Sequence, residues 1–271
     1  MKHYGLIGHP LGHSFSKDYF TENFCREGLD CEYINIDLPS LRETRRVHRP
    51  KGGNSTELRG VTKQPEGSST EGRKSNLHRL SGFNVTIPYK EAIIPYLDEL
   101  DPIAAEVGAV NTVKVLEDGR LVGYNTDVIG FNSSLLTSHS SPPTPHSSLV
   151  LGTGGASKAV QYVLRKNNIP FQVVSRFAEH GDLTYQELTT EIIQSHLLII
   201  NATPVGMAPN IEEAPKIPYK AITSQHTLFD LIYNPEETLF LRRGREHGAT
   251  TINGLTMLYA QAEASWEIWN K

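Results

Sequence analysis

Chemistry is suggested first by a glycine-rich turn. Leu149-Val150-Leu151 runs directly into Gly152-Thr153-Gly154-Gly155-Ala156-Ser157, and a helical pattern opens behind it. Glycines at a strand-to-helix turn let backbone approach a pyrophosphate, which then rests on the positive helix N-terminus. As a bare pattern a tight turn explains a glycine trio about equally well. Here a second apolar strand follows and ends in Ser175-Arg176. A free ribose 2′-hydroxyl is usually met at that strand end by Asp or Glu, whereas a 2′-phosphate is better met by arginine. The pattern therefore favours NADP over NAD, against a competing reading of Arg176 as a solvated strand-end cation. Asn201-Ala202-Thr203-Pro204-Val205-Gly206-Met207 follows another apolar strand. In a doubly wound sheet such strand ends face the ligand crevice, although spacing alone fits a simple turn.

Two further strand ends carry ionisable groups. Gly82-Phe83-Asn84-Val85-Thr86-Ile87-Pro88-Tyr89-Lys90 places a lysine just past a strand, and Gly123-Tyr124-Asn125-Thr126-Asp127 places a carboxylate at another. Taken singly, Lys90 reads as an exposed charge and Asp127 as a helix cap. Beside a nicotinamide the pair acquires a use. Ketone reduction needs a hydride and a proton for the developing alkoxide. A lysine near a carboxylate can hold that proton while its charge steadies the oxyanion.

The elements that must position these groups alternate between strand and helix. Strands are expected at Tyr4 to Ile7, Glu32 to Leu38, Phe83 to Ile87, Leu149 to Leu151, Phe171 to Ser175, Leu197 to Ile200 and Thr227 to Leu231. Helices are expected at Lys17 to Glu27 after a loop from His9 to Ser16, at Tyr89 to Leu97 (shortened by Pro95), at Ala156 to Lys166 and at Leu255 to Trp269. Ala109 to Leu116 and Leu121 to Tyr124 flank an Asp118-Gly119 turn and suggest a hairpin. The alternation implies a parallel sheet covered on both faces.

Composition narrows the class. Lys and Arg total 26 against 30 Asp and Glu, a net charge of −4, which lacks the basic footprint of a nucleic-acid binder. Two cysteines, Cys25 and Cys31, build no disulfide framework, and no metal site is expected. Without an apolar run near the roughly 18 residues of a membrane span, and with a polar N-terminus, the chain is expected to be cytoplasmic, with no membrane partner. The charge is unevenly spread. Residues 42–81 hold ten of the basic residues and four of the acidic ones, so a +6 stretch sits in a −10 remainder. With five aliphatic side chains in that stretch (Val47, Leu58, Val61, Leu77 and Leu80), it reads as a basic, flexible insert. Ser133 to Ser148, rich in serine and proline, reads as a surface linker or frayed helix end.

Eight blocks in order carry a resemblance. They are Gly12-His13-Ser14-Phe15-Ser16, Asn84 to Lys90, Gly108-Ala109-Val110-Asn111-Thr112, Asn125-Thr126-Asp127, Gly152 to Ser157, Asn201 to Met207, Asp230-Leu231-Ile232-Tyr233-Asn234-Pro235, and Asn253-Gly254-Leu255-Thr256-Met257-Leu258 with Gln261. Together they resemble the shikimate dehydrogenase family and span nearly the whole chain outside the insert. The resemblance implies reversible NADPH-dependent reduction of 3-dehydroshikimate to shikimate. It implies that Ser14 and Ser16 bind the substrate carboxylate with Tyr233 nearby, and that Thr86, Asn111 and Gln261 read the ring hydroxyls. Lys90 and Asp127 would be the catalytic pair, with Lys90 favoured as the acid/base. Gly152, Thr153, Gly154, Gly155, Ala156 and Ser157 would hold the pyrophosphate and Ser175-Arg176 the 2′-phosphate end. Thr203, Leu231, Gly254 and Met257 would border the nicotinamide.

The chain departs from the family pattern in three places. Ser175-Arg176-Phe177 keeps only the arginine of the usual Asn-Arg-Thr, with His180 the nearest helper. Thr256 stands where a glycine is usual. The segment before Gly82 is longer than in the family and shows no helical stripe.

The expected architecture is α/β. A substrate-binding and catalytic domain over residues 1–127, completed by the C-terminal helix 252–271, and a Rossmann-like NADP-binding domain over 128–251 would hold the active site in the cleft between them. The chain would act as a monomer or homodimer. Competing readings are a quinate/shikimate dehydrogenase with relaxed NAD/NADP use, a catalytically silent NADP-binding protein, and a related dehydrogenase with another substrate.

Overall fold

The computed structural model describes residues 1–11, 14–41, 80–137 and 147–271. Contacts divide the chain into two units: Met1–Leu100 with Thr112–Gly123, and Asp101–Asn111 with Tyr124–Lys271. The contact division thus groups the C-terminal helix with the second unit.

In the first unit β1 (Lys2–Gly8), β2 (Cys31–Asp37), β3 (Leu80–Val85), β4 (Glu99–Leu100), β5 (Thr112–Val115) and β6 (Leu121–Tyr124) form one sheet in the order β2-β1-β3-β5-β6-β4. β1 runs parallel to β2 and β3, but β3 is antiparallel to β5. The expected parallel pairing holds for β2-β1-β3 and is corrected at β3–β5, which is antiparallel. No helical crossover links β5 to β6. A turn closed by the Leu116 N–H on Arg120 O and the Gly119 N–H on Leu116 O (both 2.9 Å) joins them, with Gly119 at φ 85°. A connection this tight suits antiparallel neighbours.

Helix α1 (Phe15–Arg26) packs Phe20 and Phe24 onto this sheet. Phe20 stacks on Tyr33 of β2 at 4.8 Å, and Phe24 lies 5.9 Å from Tyr4. The helix starts earlier than expected because Ser14 caps it, accepting the Lys17 N–H at 3.4 Å. Ser16 is therefore in the first turn of α1 and not in a loop. The expected helix from Tyr89 to Leu97 is α2 (Tyr89–Ala92) followed by a separate 3-10 turn, Ile94–Tyr96. Pro95 lacks the N–H and obstructs the preceding carbonyls, so one continuous helix is excluded. Leu80 and Ser81, expected in the insert, open β3. The rest of that insert, Gly12-His13 and residues 138–146 lie outside the described residues.

The second unit contains β7 (Ser148–Leu151), β8 (Phe171–Ser175), β9 (Leu183–Thr184), β10 (Leu198–Asn201), β11 (Thr227–Asp230) and β12 (Thr250–Ile252). Their order is β12-β11-β10-β7-β8-β9, with every pairing parallel. This is the order of a doubly wound dinucleotide fold, whose switch point lies beside the first strand, here β7. The helices are α3 (Pro102–Val107), α4 (Asp127–Thr137), α5 (Gly155–Lys166), α6 (Thr190–Ser195), α7 (Leu239–Glu246) and α8 (Leu255–Asn270). Successive side chains of β7 serve opposite faces. Val150 packs with Phe131, Leu135, Val160, Leu164 and Phe229, whereas Leu149 and Leu151 pack with Val174, Ile193, Leu228 and Phe240. Ala109 to Asn111, expected as strand, are buried coil; the chain reaches them from α3 through Gly108 at φ 70°.

Candidate active site

On the substrate side of the first unit, β3 and α2 set the expected lysine. The Thr86 N–H donates to Ile7 O at 2.8 Å, and the Tyr89 N–H to Thr86 O at 2.9 Å, so the bend after β3 is tied to β1. The buried Tyr89 hydroxyl donates to Leu38 O, anchoring α2 against the end of β2. Lys90 follows, half-buried in α2. Thr86 stands beside Gly8, where an added Cβ would come within 2.5 Å of its methyl group. Ser14, Ser16 and Asn84 belong to the same unit. Tyr33 donates to Asn84 Oδ1 at 2.8 Å, and Asn84 Nδ2 donates to Thr112 Oγ1 at 3.1 Å. Burial pushes the Tyr33 phenol well above its ordinary range.

In the second unit the structure brings Asn111, Asp127 and Gln261 together. Asn111 Nδ2 lies 2.9 Å from Asp127 Oδ1, 3.0 Å from Thr126 Oγ1 and 3.3 Å from Gln261 Oε1. Its Oδ1 accepts the Thr126 N–H at 2.7 Å. Ser265 continues the cluster at 3.2 Å from Thr126 Oγ1. Asp127 is buried at the start of α4 but is not its cap. That role belongs to Asn125, whose Oδ1 accepts the Val128 N–H at 3.2 Å while its Nδ2 holds Ala109 O at 2.8 Å. The helix-cap reading of Asp127 is thus corrected. Gln261 reaches the cluster because Gly130 lets α8 approach α4; an added Cβ there would stand 2.5 Å from Met257 O.

The turn after β7 is built for close backbone approach. Gly152 has φ +108°, and a Cβ there would stand 2.8 Å from the Thr203 methyl. Its carbonyl accepts the Ser157 hydroxyl at 2.6 Å. A Cβ on Gly154 would meet nothing within 4 Å, and α5 carries no acidic residue in its first turn. A helix N-terminus that receives no side-chain cap from Gly154 and carries no acidic residue suits a bound anion. Thr153, Gly155 and Ala156 complete the turn. Ser175 is buried at the end of β8, where its hydroxyl accepts the Phe177 N–H at 3.1 Å. Arg176 is exposed with its guanidinium 5.8 Å from the Phe177 ring, and Phe177 meets His180 edge-on. These residues fit a phosphorylated dinucleotide.

Thr203 is held by a buried set that has no assigned role in the sequence. Asn201 Oδ1 accepts the Thr203 hydroxyl at 2.6 Å and its N–H at 3.1 Å, and Asn201 Nδ2 donates to Asp230 Oδ1 at 3.1 Å. Asp230 also accepts from the Ile232 N–H and the Thr238 hydroxyl. Burial pushes its carboxyl up to about 6, against the opposing pull of those three donors. Leu231 and Gly254 meet closely, since a Cβ on Gly254 would stand 2.1 Å from Leu231 O. Met257 is buried in the core, and Tyr233 is half-buried beyond β11. Lys90 belongs to the first unit and Asp127 to the second. Among the described residues no group of three or more His, Cys, Asp or Glu is placed to hold a metal, and no helix is long and apolar enough to cross a membrane. Tyr33, Thr126, Ser265, Asn201 and Asp230 have no place among the sequence-derived site residues. Thr126, Asn201 and Asp230 lie within the resembling blocks, a signal that could have found them.

Comparison with known proteins gives concordant matches. Residues 6–113 match the family described as shikimate dehydrogenase substrate binding domain. A shikimate dehydrogenase (NADP(+)) from Methanococcus maripaludis is 37% identical, with 98% of this chain and 90% of the relative covered. The crystal structure of a Thermus thermophilus shikimate 5-dehydrogenase in complex with NADP(H) and shikimate is 29% identical with a TM-score of 0.77, covering 99% of this chain and 93% of that one. A quinate dehydrogenase from Corynebacterium glutamicum in complex with NAD is 25% identical with a TM-score of 0.77, over 99% of this chain and 93% of that one.

Proposed function

The chain belongs to the shikimate dehydrogenase family, and on that premise we propose that it catalyses the reversible NADPH-dependent reduction of 3-dehydroshikimate to shikimate. The observation that carries this reading is the Asn111 amide, which gathers the buried Asp127 carboxylate and the half-buried Gln261 carbonyl into one cluster. A polyhydroxylated acid calls for such amide and hydroxyl partners in place of an apolar pocket.

In this proposal residues 1–127 with 252–271 serve the substrate and 128–251 the dinucleotide. Ser14 and Ser16 hold the substrate carboxylate, with Tyr233 assisting. Thr86, Asn111 and Gln261 read the ring hydroxyls. NADPH, when bound, supplies the hydride. Lys90 Nζ delivers the proton to the developing alkoxide and steadies its charge, with Asp127 as its carboxylate partner. Gly152 to Ser157 cradle the pyrophosphate, Ser175 and Arg176 take the 2′-phosphate end, and Thr203, Leu231, Gly254 and Met257 border the nicotinamide. A cytoplasmic setting and a monomeric or homodimeric state are part of the proposal; the two unbridged thiols support the former.

Shikimate-dependent NADP reduction by the purified protein tests the reading. Lys90→Ala is expected to lower kcat by about 10²–10⁴-fold, the range for general acid–base catalysis. Unchanged turnover in the variant would remove Lys90 from the chemistry, and stoichiometric binding without turnover in the unmutated protein would establish the silent reading. The second reading, relaxed use of quinate and NAD, is favoured by the single arginine at the end of β8 and by the likeness to the quinate enzyme. Assaying both acids with both cofactors separates the two.

A further inference from the structure

Asn201 and Asp230 close β10 and β11 as fully buried polar residues, and neither has a task in the reading above. Polar groups in such surroundings are costly unless bonded. Here their bonds lead to three residues assigned to the nicotinamide: Thr203, Leu231 and Gly254.

The donors and acceptors fix the direction of each bond on the Thr203 side. A backbone N–H only donates and a carbonyl only accepts. Asn201 must therefore turn Oδ1 to the Thr203 N–H at 3.1 Å, and Nδ2 to Val205 O at 3.3 Å and Asp230 Oδ1 at 3.1 Å. An amide oxygen has no proton to give, so the single Thr203 hydroxyl proton is committed to Asn201 at 2.6 Å. One amide thus fixes both the backbone and the hydroxyl of Thr203, and Asp230 holds that amide. The same carboxylate oxygen takes the Ile232 N–H at 3.0 Å. Ile232 O in turn accepts the Gly254 N–H at 3.0 Å, and the Leu231 N–H donates to Asn201 O at 3.0 Å. The Thr238 hydroxyl, on Oδ2, keeps the carboxylate from rotating out of this arrangement.

We propose that Asp230 is a positioning residue for the nicotinamide end of the cofactor: through the Asn201 amide it sets Thr203, and through the Ile232 peptide it sets Leu231 and Gly254. This inference rests on the functional reading above, because it takes those three residues as the nicotinamide border. The pyrophosphate turn has bonds of its own, from the Gly152 N–H to Val174 O at 2.9 Å and from the Ser157 hydroxyl to Gly152 O at 2.6 Å. Loss of Asp230 therefore disturbs one half of the dinucleotide site and spares the other.

The test compares kcat/KM for NADP, in shikimate oxidation, with calorimetric binding of 2′-phospho-ADP-ribose, which is NADP without its nicotinamide. Thermal denaturation verifies that each variant is folded. Asp230→Ala is expected to lower kcat/KM for NADP about tenfold, since a loosely held ring is misplaced for hydride transfer. Binding of the fragment is expected to stay within about twofold of the unmutated protein, a split that general damage to the fold would not give. Asp230→Asn keeps an acceptor for Asn201 and Ile232, and is expected to restore kcat/KM to within about threefold. If Asp230→Ala does not fold, Asn201→Ala decides. It leaves the Ile232 and Thr238 bonds in place and is expected to lower kcat/KM for NADP about fivefold with fragment binding retained. Equal losses for NADP and the fragment, a native kcat/KM in the folded alanine variant, or an Asp230→Asn protein as impaired as Asp230→Ala overturns the proposal. If the unmutated protein does not reduce NADP with shikimate, the functional reading fails instead. If it does so while the alanine variant keeps the native kcat/KM, only the Asp230 proposal fails.

Discussion

Asp230 should make the stability of this protein fall as pH rises from about 4 to about 6. Its carboxyl is fully buried, and its folded value of about 6 lies above the ordinary 3.8. The native state therefore binds the proton more tightly than the unfolded chain across that window. Stability declines with pH wherever the native state binds more protons, and it levels off once both states are ionised. The difference of about two units, at 1.36 kcal/mol each, is worth about 3 kcal/mol in full, of which roughly 2.4 kcal/mol falls between pH 4 and pH 7. Full burial leaves no solvent screening to reduce it. Asp230→Asn isolates the effect. The amide oxygen can accept from the Asn201 side chain and the Ile232 N–H, and the new NH₂ can donate to Thr238 Oγ1, whose hydroxyl then has only to rotate. Urea unfolding of both proteins at several values from pH 4.5 to 7.5 would be followed by circular dichroism, and the difference in unfolding free energy taken at each pH. Other titrating groups cancel in that difference. The unmutated protein should lose about 2–3 kcal/mol relative to Asp230→Asn as pH rises through 6. A difference flat to within about 1 kcal/mol would refute the argument, because Asp230 would then titrate alike in both states.

Two predictions concern the dinucleotide turn. Gly152→Ala imposes a Cβ at φ +108° and 2.8 Å from the Thr203 methyl. A cost of about 1–3 kcal/mol is expected for the strained backbone; calorimetry should show NADP binding weakened at least about tenfold, and a native affinity would mean the turn accommodates the Cβ without moving. Arg176→Ala should weaken NADP binding by about 10–100-fold, as for a charged hydrogen bond, and leave NAD within about twofold. Equal losses for both cofactors would exclude a 2′-phosphate role for Arg176.

The parts of the fold read most accurately from the sequence are the buried parallel strands. Phe171–Ser175 agrees with the structure at both ends, β7 begins one residue before its expected start, and β10 is shifted by one residue at both ends. Strands covered on both faces are short continuous apolar runs, so they announce themselves without a partner. The short helices α3, α6 and α7 and the two edge strands β9 and β12 have too few residues to show a period, and they pass unrecognised in the sequence. The mixed first sheet was partly legible, since the Asp118-Gly119 turn already implied antiparallel neighbours. Alternation elsewhere in the chain masked it.

Residue types and their order determined the family, the glycine turn, the strand-end lysine and carboxylate, and the arginine that would meet a 2′-phosphate. Each of these depends on a local run of residues and one neighbouring element. Tertiary structure alone decided the cap of α4, where Asn125 releases Asp127 from the role its position suggested. It alone joined Asn111 to Gln261 across 150 residues of sequence and Tyr33 to Asn84 across 51. It also raised the Asp230 carboxyl, because desolvation depends on everything packed around a group and not on its neighbours in the chain. Hydrogen-bond direction and proton affinity are properties of such assembled surroundings.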